Sequence, residues 1–449
     1  MYWKDLIPEK KGRFFMKIKV VKKRYEDVMA MGKPHHKKPI RPSLFFRTLM
    51  KLVSYGDIRK THFTHDKIGM ERLGKDEPAL FLMNHSSFID LEIVPTLLYP
   101  RPFNIVATRD SFIGKNFLLR HIGCIPTSKF VSDTTLVRDI IHAIRKLRSS
   151  VVLFPEAGYS IDGKATLLPD TVGGLIKMLG VPVVMIHAYG AFARDPLYNN
   201  LQVRSVKVSA TEKYLLSPEQ IKEMSSDEIN ALVREEFSFD NFEWQKTNHV
   251  KIDEDFRADF LNRVLYKCPH CGEEWHMHGE GTSIFCDACG ARYYLNEYGS
   301  LVPKEGMSAK FNHIPDWYAW QREEVKREIT EGKYSVELDV DIGLIIDHKC
   351  LYSVGNGVLK HTPEGFVLDG CDGALHYEQK PLFSYSLNAD FNWYEIGDVM
   401  SIGRHDCLYY CFPKEKTGIV TKCRLATEEI YKLAYEEKLR HDEAARSAR

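Results

Sequence analysis

The chain has 449 residues, 44% hydrophobic and 27% charged, with a formal net charge of +1, which excludes a disordered or fibrous protein. The length exceeds one ordinary domain, so roughly two to four are expected. No run of about 18 apolar residues and no uninterrupted apolar leader occurs, so neither a membrane span nor a secretory signal is expected.

The charge is unevenly placed. Residues 1–60 hold 17 Lys and Arg against 5 Asp and Glu, so a basic arm precedes a mildly acidic body. Such an arm seeks phosphates. Phe14, Ile18, Val21, Tyr25 and Val28 fall at helical spacing among Lys17, Lys22, Lys23 and Arg24, predicting a basic amphipathic helix over Phe14 to Met29. A second helix is expected from Ser43, as N-cap, to Gly56, as C-cap. Roughly half the length of a bilayer span, it suits an anionic membrane surface better than a crossing. Packing of both helices on the body is the plainer alternative; nucleic acid is not expected, since no DNA-binding motif is present.

Residues 61–250 alternate short apolar runs with helix-like segments, the pattern of an α/β domain with a mostly parallel sheet covered by helices. Expected strands are Ala79–Met83, Phe103–Ala107, Val151–Phe154, Val181–His187 and Val203–Val208. Asp170 to Leu179 reads as a helix ended by Gly180, and Ser225 with Glu228 as a capping box for another through Phe237. Directly after the first strand comes Asn84-His85-Ser86-Ser87-Phe88-Ile89-Asp90. An imidazole with a carboxylate partner is the simplest general base at neutral pH. His85 and Asp90 meet if a serine caps a helix that brings Asp90 back. Otherwise His85 satisfies a loop carbonyl and Asp90 is solvated.

Three further blocks follow in order: Gly123-Cys124-Ile125-Pro126-Thr127-Ser128-Lys129, Phe154-Pro155-Glu156-Ala157-Gly158-Tyr159-Ser160 and Val181-Pro182-Val183-Val184-Met185-Ile186. Together with the His/Asp stretch, they resemble the four blocks of the glycerolipid acyltransferases typified by 1-acylglycerol-3-phosphate acyltransferase, over about residues 75–210. The resemblance implies direct transfer of a fatty acyl group from acyl-CoA or acyl carrier protein to the hydroxyl of a lysophospholipid-like acceptor, in phospholipid biosynthesis. His85, oriented by Asp90, would be the base. It further implies that Lys129, Glu156, Gly158 and Tyr159 line the acceptor site. The family ends its second block on Arg where Lys129 stands, and its third, Phe-Pro-Glu-Gly-Thr-Arg-Ser, has Arg where Tyr159 stands. Either acceptor-phosphate recognition falls to other cations, such as Lys129, Arg109 or Lys164, or the acceptor is not a lysophosphatidate. Competing readings are a thioesterase that uses water, and a non-catalytic lipid-binding or scaffold protein.

Two other patterns fail. Gly158 to Lys164 nearly spells a phosphate-binding loop, but Ala165 replaces its Ser/Thr and Pro169 interrupts the helix that should follow. Gly158-Tyr159-Ser160-Ile161-Asp162 misses the last glycine of a hydrolase elbow.

Residues 264–300 carry two Cys-x-x-Cys knuckles, Cys268/Cys271 and Cys286/Cys289, each followed by glycine. This is the spacing of a zinc ribbon, and with four thiolates no coordination position remains for catalysis, so structural Zn2+ is expected. His270, His276 and His278 read as bystanders. The other six of the ten cysteines are scattered, which fits a reducing cytoplasm rather than disulfides. A protein peripheral on the inner face of the membrane is the expected placement.

Residues 305–449 begin with a connector helix capped at Asp316 and carrying Trp317, Trp320, Val325 and Ile329. Turn signals at Gly355-Asn356-Gly357, Pro363-Glu364-Gly365, Asp369-Gly370 and Asp372-Gly373 predict a β-rich domain from Tyr334 to Arg424, closed by a helix from Thr427. The layout resembles pleckstrin-homology domains at the level of pattern. Cys407 and Cys411 read as strand residues.

Overall fold

The computed structural model describes residues 17–32, 34–131, 133–414 and 417–447. Its strands, in chain order, are β1 (Val20–Lys22), then β2 (Thr64–Ile68), β3 (Leu80–Met83), β4 (Phe103–Thr108), β5 (Cys124–Thr127), β6 (Ser150–Leu153), β7 (Val183–Tyr189) and β8 (Ser209–Leu216). β2 to β8 form one sheet in the order β2-β8-β7-β3-β6-β4-β5. The five strands from β7 to β5 are parallel; β8 runs against β7, with β2 parallel to β8. The sheet is thus mostly parallel, as expected, and is made mixed by a two-stranded reversed edge.

β3 sits at the centre and is buried on both faces. Phe81 and Met83 enter one apolar cluster with Ile93, Val94 and Val184, while Leu80 and Leu82 enter the other with Ile140, Val151 and Ile176. Each such side chain, removed from water, contributes about 1.5–3 kcal/mol. The helix Thr171–Leu179 ends at Gly180 in the left-handed region, φ 60°, and the Ser225 capping box is formed in full.

Several expectations are corrected. Val203–Val208 joins no ladder; the strand begins one residue later, at Ser209, where Ala210, Glu212, Tyr214 and Leu216 alternate inward. The inward Glu212, held 3.8 Å from Lys67, breaks the apolar pattern that would have marked β8. β2 escapes notice because it is a solvent-exposed edge strand. In the arm, residues 20–22 are not helical: β1 pairs with the C-terminal sheet at Leu351–Ser353, and only Tyr25–Met29 is helix. Phe14 lies outside the described residues. Ser43 does cap the next helix, which passes through Gly56 and ends at Lys60.

The cysteine segment forms a four-stranded antiparallel sheet, β9 (Met277–Glu280), β10 (Ser283–Cys286), β11 (Arg292–Leu295) and β12 (Leu301–Pro303). The connector helix spans Ile314–Thr330, starting at His313 rather than Asp316, with Pro315 in its first turn. Then follow β13 (Val336–Leu344), β14 (Leu351–Thr362), β15 (Gly365–Gly370), β16 (Leu375–Gln379), β17 (Asn388–Trp393), β18 (Gly397–Arg404) and β19 (Cys407–Pro413). Their order is β16-β15-β14-β13-β19-β18-β17, antiparallel throughout. Gly355-Asn356-Gly357 makes no turn but lies within β14. A Cβ on Gly357 would sit 2.4 Å from the Asp369 carbonyl oxygen, so glycine there allows close strand approach. The last helix begins at Ile419, eight residues before Thr427, because its first turns are buried against the cysteine segment and the sheet. One apolar core runs from Ile161 and Phe192 through Cys268 and Trp317 to Ile402 and Leu425, joining all three parts.

Candidate active site

β3 ends at Met83, and the next residue locks its exit. The Asn84 side-chain amide donates to the Ala188 carbonyl (3.1 Å) and accepts from the Ala188 N–H (2.7 Å), fastening the loop to β7. Asp90 is the first residue of the helix Asp90–Leu98. Its Oδ2 accepts the backbone N–H groups of Ser86 (2.6 Å) and Ser87 (3.0 Å) and lies 3.1 Å from His85 Nδ1. Two peptide donors and the positive end of the helix dipole thus face this fully buried side chain. With Nδ1–H given to Asp90, His85 keeps Nε2 as its basic nitrogen.

His85 is held from the other side as well. Its N–H donates to Glu156 Oε2 (2.7 Å), and its carbonyl accepts the Ser160 N–H (3.0 Å). Its ring stacks on Phe154 (centroids 4.2 Å) and meets Tyr159 at 4.4 Å. The side chain is 16% exposed. Burial pushes the imidazole below its usual 6.5; Asp90 works against this and Lys129 with it. His85 is therefore neutral, and able to take a proton, at physiological pH.

Glu156 does not face an open site. Besides the His85 N–H, it accepts the Thr166 N–H on Oε1 at 2.8 Å. Burial raises its carboxyl to about 7, against these hydrogen bonds. It ties the third block to the His85 loop. Ala157 adopts φ 56°, the left-handed conformation that explains why the resembled family has glycine at this place. A Cβ on Gly158 would meet nothing within 4 Å. Tyr159 remains a neutral phenol, raised well above 10 by burial and by Asp90 and Asp390.

The three expected cations have different partners. Lys129 lies within the field of His85 and of Asp390 on β17. Arg109, in the turn after β4, is 3.7 Å from Asp133, and Lys164 is 3.6 Å from Asp240. Sequence reasoning missed Asp110, Asp390, Trp393 and Tyr394. Asp110 accepts the Trp393 Nε1–H at 3.2 Å, which brings the C-terminal sheet to the site. Nothing local in the sequence announces that a strand some 300 residues away completes this wall.

In the cysteine segment, Cys268 Sγ is 3.7 Å from Cys289 Sγ and Cys271 Sγ 3.8 Å from Cys286 Sγ, with all four sulfurs within 4.8 Å of one another. Four sulfurs about 2.3 Å from a central ion would stand about 3.8 Å apart, so the set fits a tetrahedral metal. His276 and His278 instead hold Asp287, at 2.6 and 2.8 Å.

Residues 65–186 match the family model described as Acyltransferase. Among solved structures, the chain is similar to PlsC, the 1-acyl-sn-glycerophosphate (LPA) acyltransferase from Thermotoga maritima. The identity is 20%, covering 42% of this chain and 76% of that one, with a TM-score of 0.34. No curated protein sequence matches.

Proposed function

We propose, from the match of residues 65–186 to the family model described as Acyltransferase, that the protein moves a fatty acyl group from the thioester of acyl-CoA or acyl carrier protein to the hydroxyl of a lysophospholipid-like acceptor, in phospholipid biosynthesis. The observation that carries this reading is the placement of His85 Nδ1 3.1 Å from an Asp90 carboxylate already fixed by two peptide N–H groups. His85 Nε2 takes the hydroxyl proton as the oxygen attacks the thioester carbonyl. Asp90 stabilises the imidazolium that results. Collapse of the tetrahedral adduct breaks the C–S bond, and the imidazolium proton passes to the leaving sulfur. No serine nucleophile is needed.

Zn2+ at Cys268, Cys271, Cys286 and Cys289 would have four protein thiolates and no open position. Its part is therefore structural, fixing a segment too short to build a core alone. The β-rich unit, four meandering strands then three with a terminal helix, supports a pleckstrin-homology-like reading by layout.

No described helix is long and apolar enough to cross a membrane. Yet the helix Leu44–Lys60 exposes Phe45 (69%), Leu52 (67%) and Val53 (72%), and the helix Asn116–His121 exposes Phe117 (73%). Phe46 and Phe117 both touch His121, at 5.3 and 4.1 Å, so the two helices adjoin; Arg120 beside them donates to the carbonyls of Lys37 and Lys38, and Lys51 lies on the first helix. The exposed apolar faces support a protein that rests on an anionic membrane surface.

The test is thiol release from both kinds of thioester with a panel of lysolipids. Release that requires acceptor and falls at least a hundredfold in His85→Ala supports the reading. Release without acceptor indicates a thioesterase, and equal rates in wild type and His85→Ala indicate a protein without this chemistry.

A further inference from the structure

β3, β6, β4 and β5 lie side by side and parallel, so their carboxyl ends share one edge of the sheet. In open α/β sheets that edge is where ligands bind. His85 follows the end of β3 by two residues, and Lys129 follows the end of β5 by two. Arg109 and Lys164 each face a carboxylate, whereas the half-buried Lys129 has none within 4 Å among the described residues. An unpaired, partly desolvated cation at a ligand-binding edge suits an anionic group on the ligand.

The residue after Lys129 stands in an unusual conformation. Phe130 is bulky and buried yet has φ 57°, a region that such residues rarely enter unless their surroundings impose it. The imposing contacts come from the C-terminal domain. Ser384, buried between β16 and β17, places its hydroxyl 2.7 Å from the Phe130 carbonyl and 2.5 Å from the Ser386 carbonyl, so its one proton bridges the two. The Tyr385 ring meets the Phe130 ring edge-on at 5.4 Å, and the Arg424 guanidinium lies 5.9 Å from it. These groups are themselves braced. Ser386 Oγ donates to Glu428 at 2.6 Å, and Glu428 pairs with Arg322 at 2.7 Å and with Arg424 at 3.1 Å, which engages the connector and terminal helices. On the other side of Lys129, Ser128 Oγ donates to the His405 carbonyl at 3.4 Å. Both chain neighbours of Lys129 are thus held by the C-terminal domain. With β5 and the helix Thr134–Arg145 anchored at either end of the loop, a return of Phe130 to negative φ re-aims Lys129.

Resting on the acyl-transfer reading above, we propose that Ser384 is a positioning residue for the acceptor: by holding the Phe130 carbonyl, it keeps this turn left-handed and Lys129 aimed at a phosphate on the acceptor head. The C-terminal domain then completes the acceptor side of the site and is no tethered accessory.

The experiment measures kcat and KM for 1-oleoylglycerol 3-phosphate, with palmitoyl-CoA as donor and the full-length protein. Lys129→Met should raise the acceptor KM at least tenfold. Ser384→Ala should raise it at least fivefold, with kcat and the KM for palmitoyl-CoA within twofold of wild type and the melting temperature within a few degrees. Because Ser384 acts through Lys129, the double variant should match Lys129→Met alone within twofold. Tyr385→Leu, which removes the ring against Phe130, should raise the same constant, and it carries the test alone if circular dichroism shows Ser384→Ala misfolded. An unchanged acceptor KM in the folded variants, a loss confined to kcat, or effects that multiply in the double variant overturns the proposal. Turnover of other lysolipids with none of this one also overturns it, while the acyl-transfer reading stands. Absence of turnover with every acceptor and thioester removes both.

Discussion

Replacing Asp90 by Asn isolates what the carboxylate contributes. In the wild type a single oxygen, Oδ2, receives two peptide N–H groups and faces His85 Nδ1, while Oδ1 is buried with no hydrogen-bond partner among the described residues. In Asp90→Asn, the amide oxygen placed where Oδ2 stands can still accept all three donors, so the His85 tautomer and the loop persist. What vanishes is the negative charge beside the imidazolium. At 3.1 Å and an effective dielectric constant of ~20, that attraction is worth about 5 kcal/mol before desolvation. General-base catalysis as a whole contributes about 10²–10⁴-fold. The expected fall in kcat is thus about 10²–10³-fold, with KM for both substrates within threefold and the melting temperature changed by only a few degrees. The pH profile supplies the second readout. Burial holds His85 below 6.5 and Asp90 works against burial, so kcat/KM should rise with pH to a plateau whose midpoint lies below 6.5. Asp90→Asn removes the opposing effect, and the midpoint should move further toward acid. A fall smaller than tenfold, or a midpoint that moves upward, would refute the assignment of Asp90 as the partner of the base.

Other outcomes follow from particular residues. Chelation, or Cys268→Ser, should release one metal equivalent by elemental analysis and open residues 264–303 to protease; catalysis lost while protease resistance persists would contradict a structural role. Ala157→Gly should raise stability in urea by about 0.5–1 kcal/mol, because position 157 stands at φ 56°; a loss above 1 kcal/mol would contradict this account. His361 is buried, bonded through Nδ1 to the Tyr334 hydroxyl at 2.9 Å and stacked on Phe366, and burial lowers it to about 3. Its neutral form supports the fold fully above the unfolded value of about 6.5, and that support drains as pH falls toward 3, by up to about 1.4 kcal/mol per unit. His361→Gln should therefore show a shallower stability loss than wild type between pH 6 and 4, measured by urea midpoints. Phe45→Asp with Val53→Asp should weaken binding to anionic vesicles at least tenfold in flotation, and unchanged binding would remove that surface from the membrane account.

Where local chemistry decides structure, the sequence was legible. Asn84 to Asp90 follows an apolar strand, the capping box at Ser225 forms as its spacing predicts, and the four cysteines converge as their knuckles require. Long-range pairing was not legible. β1 carries a helical apolar spacing yet joins the C-terminal sheet, because the edge of β14 offers it backbone partners. β8 hides behind the inward Glu212, and Gly355 to Gly357 copies a turn while serving close strand approach. At the site, His85 and Asp90 were readable from one short stretch. Asp110, Asp390 and Trp393 were not, since their meeting depends on how the C-terminal sheet docks, and only Arg109 beside Asp110 drew attention to that turn.

The most direct test of the central claim is the product itself. Wild-type protein, a 13C-labelled acyl thioester and a hydroxyl-bearing lysolipid should yield by mass spectrometry one labelled acyl ester per thiol released, and His85→Ala should yield neither above background. Labelled free fatty acid in place of the ester, or equal ester from His85→Ala, would contradict the account.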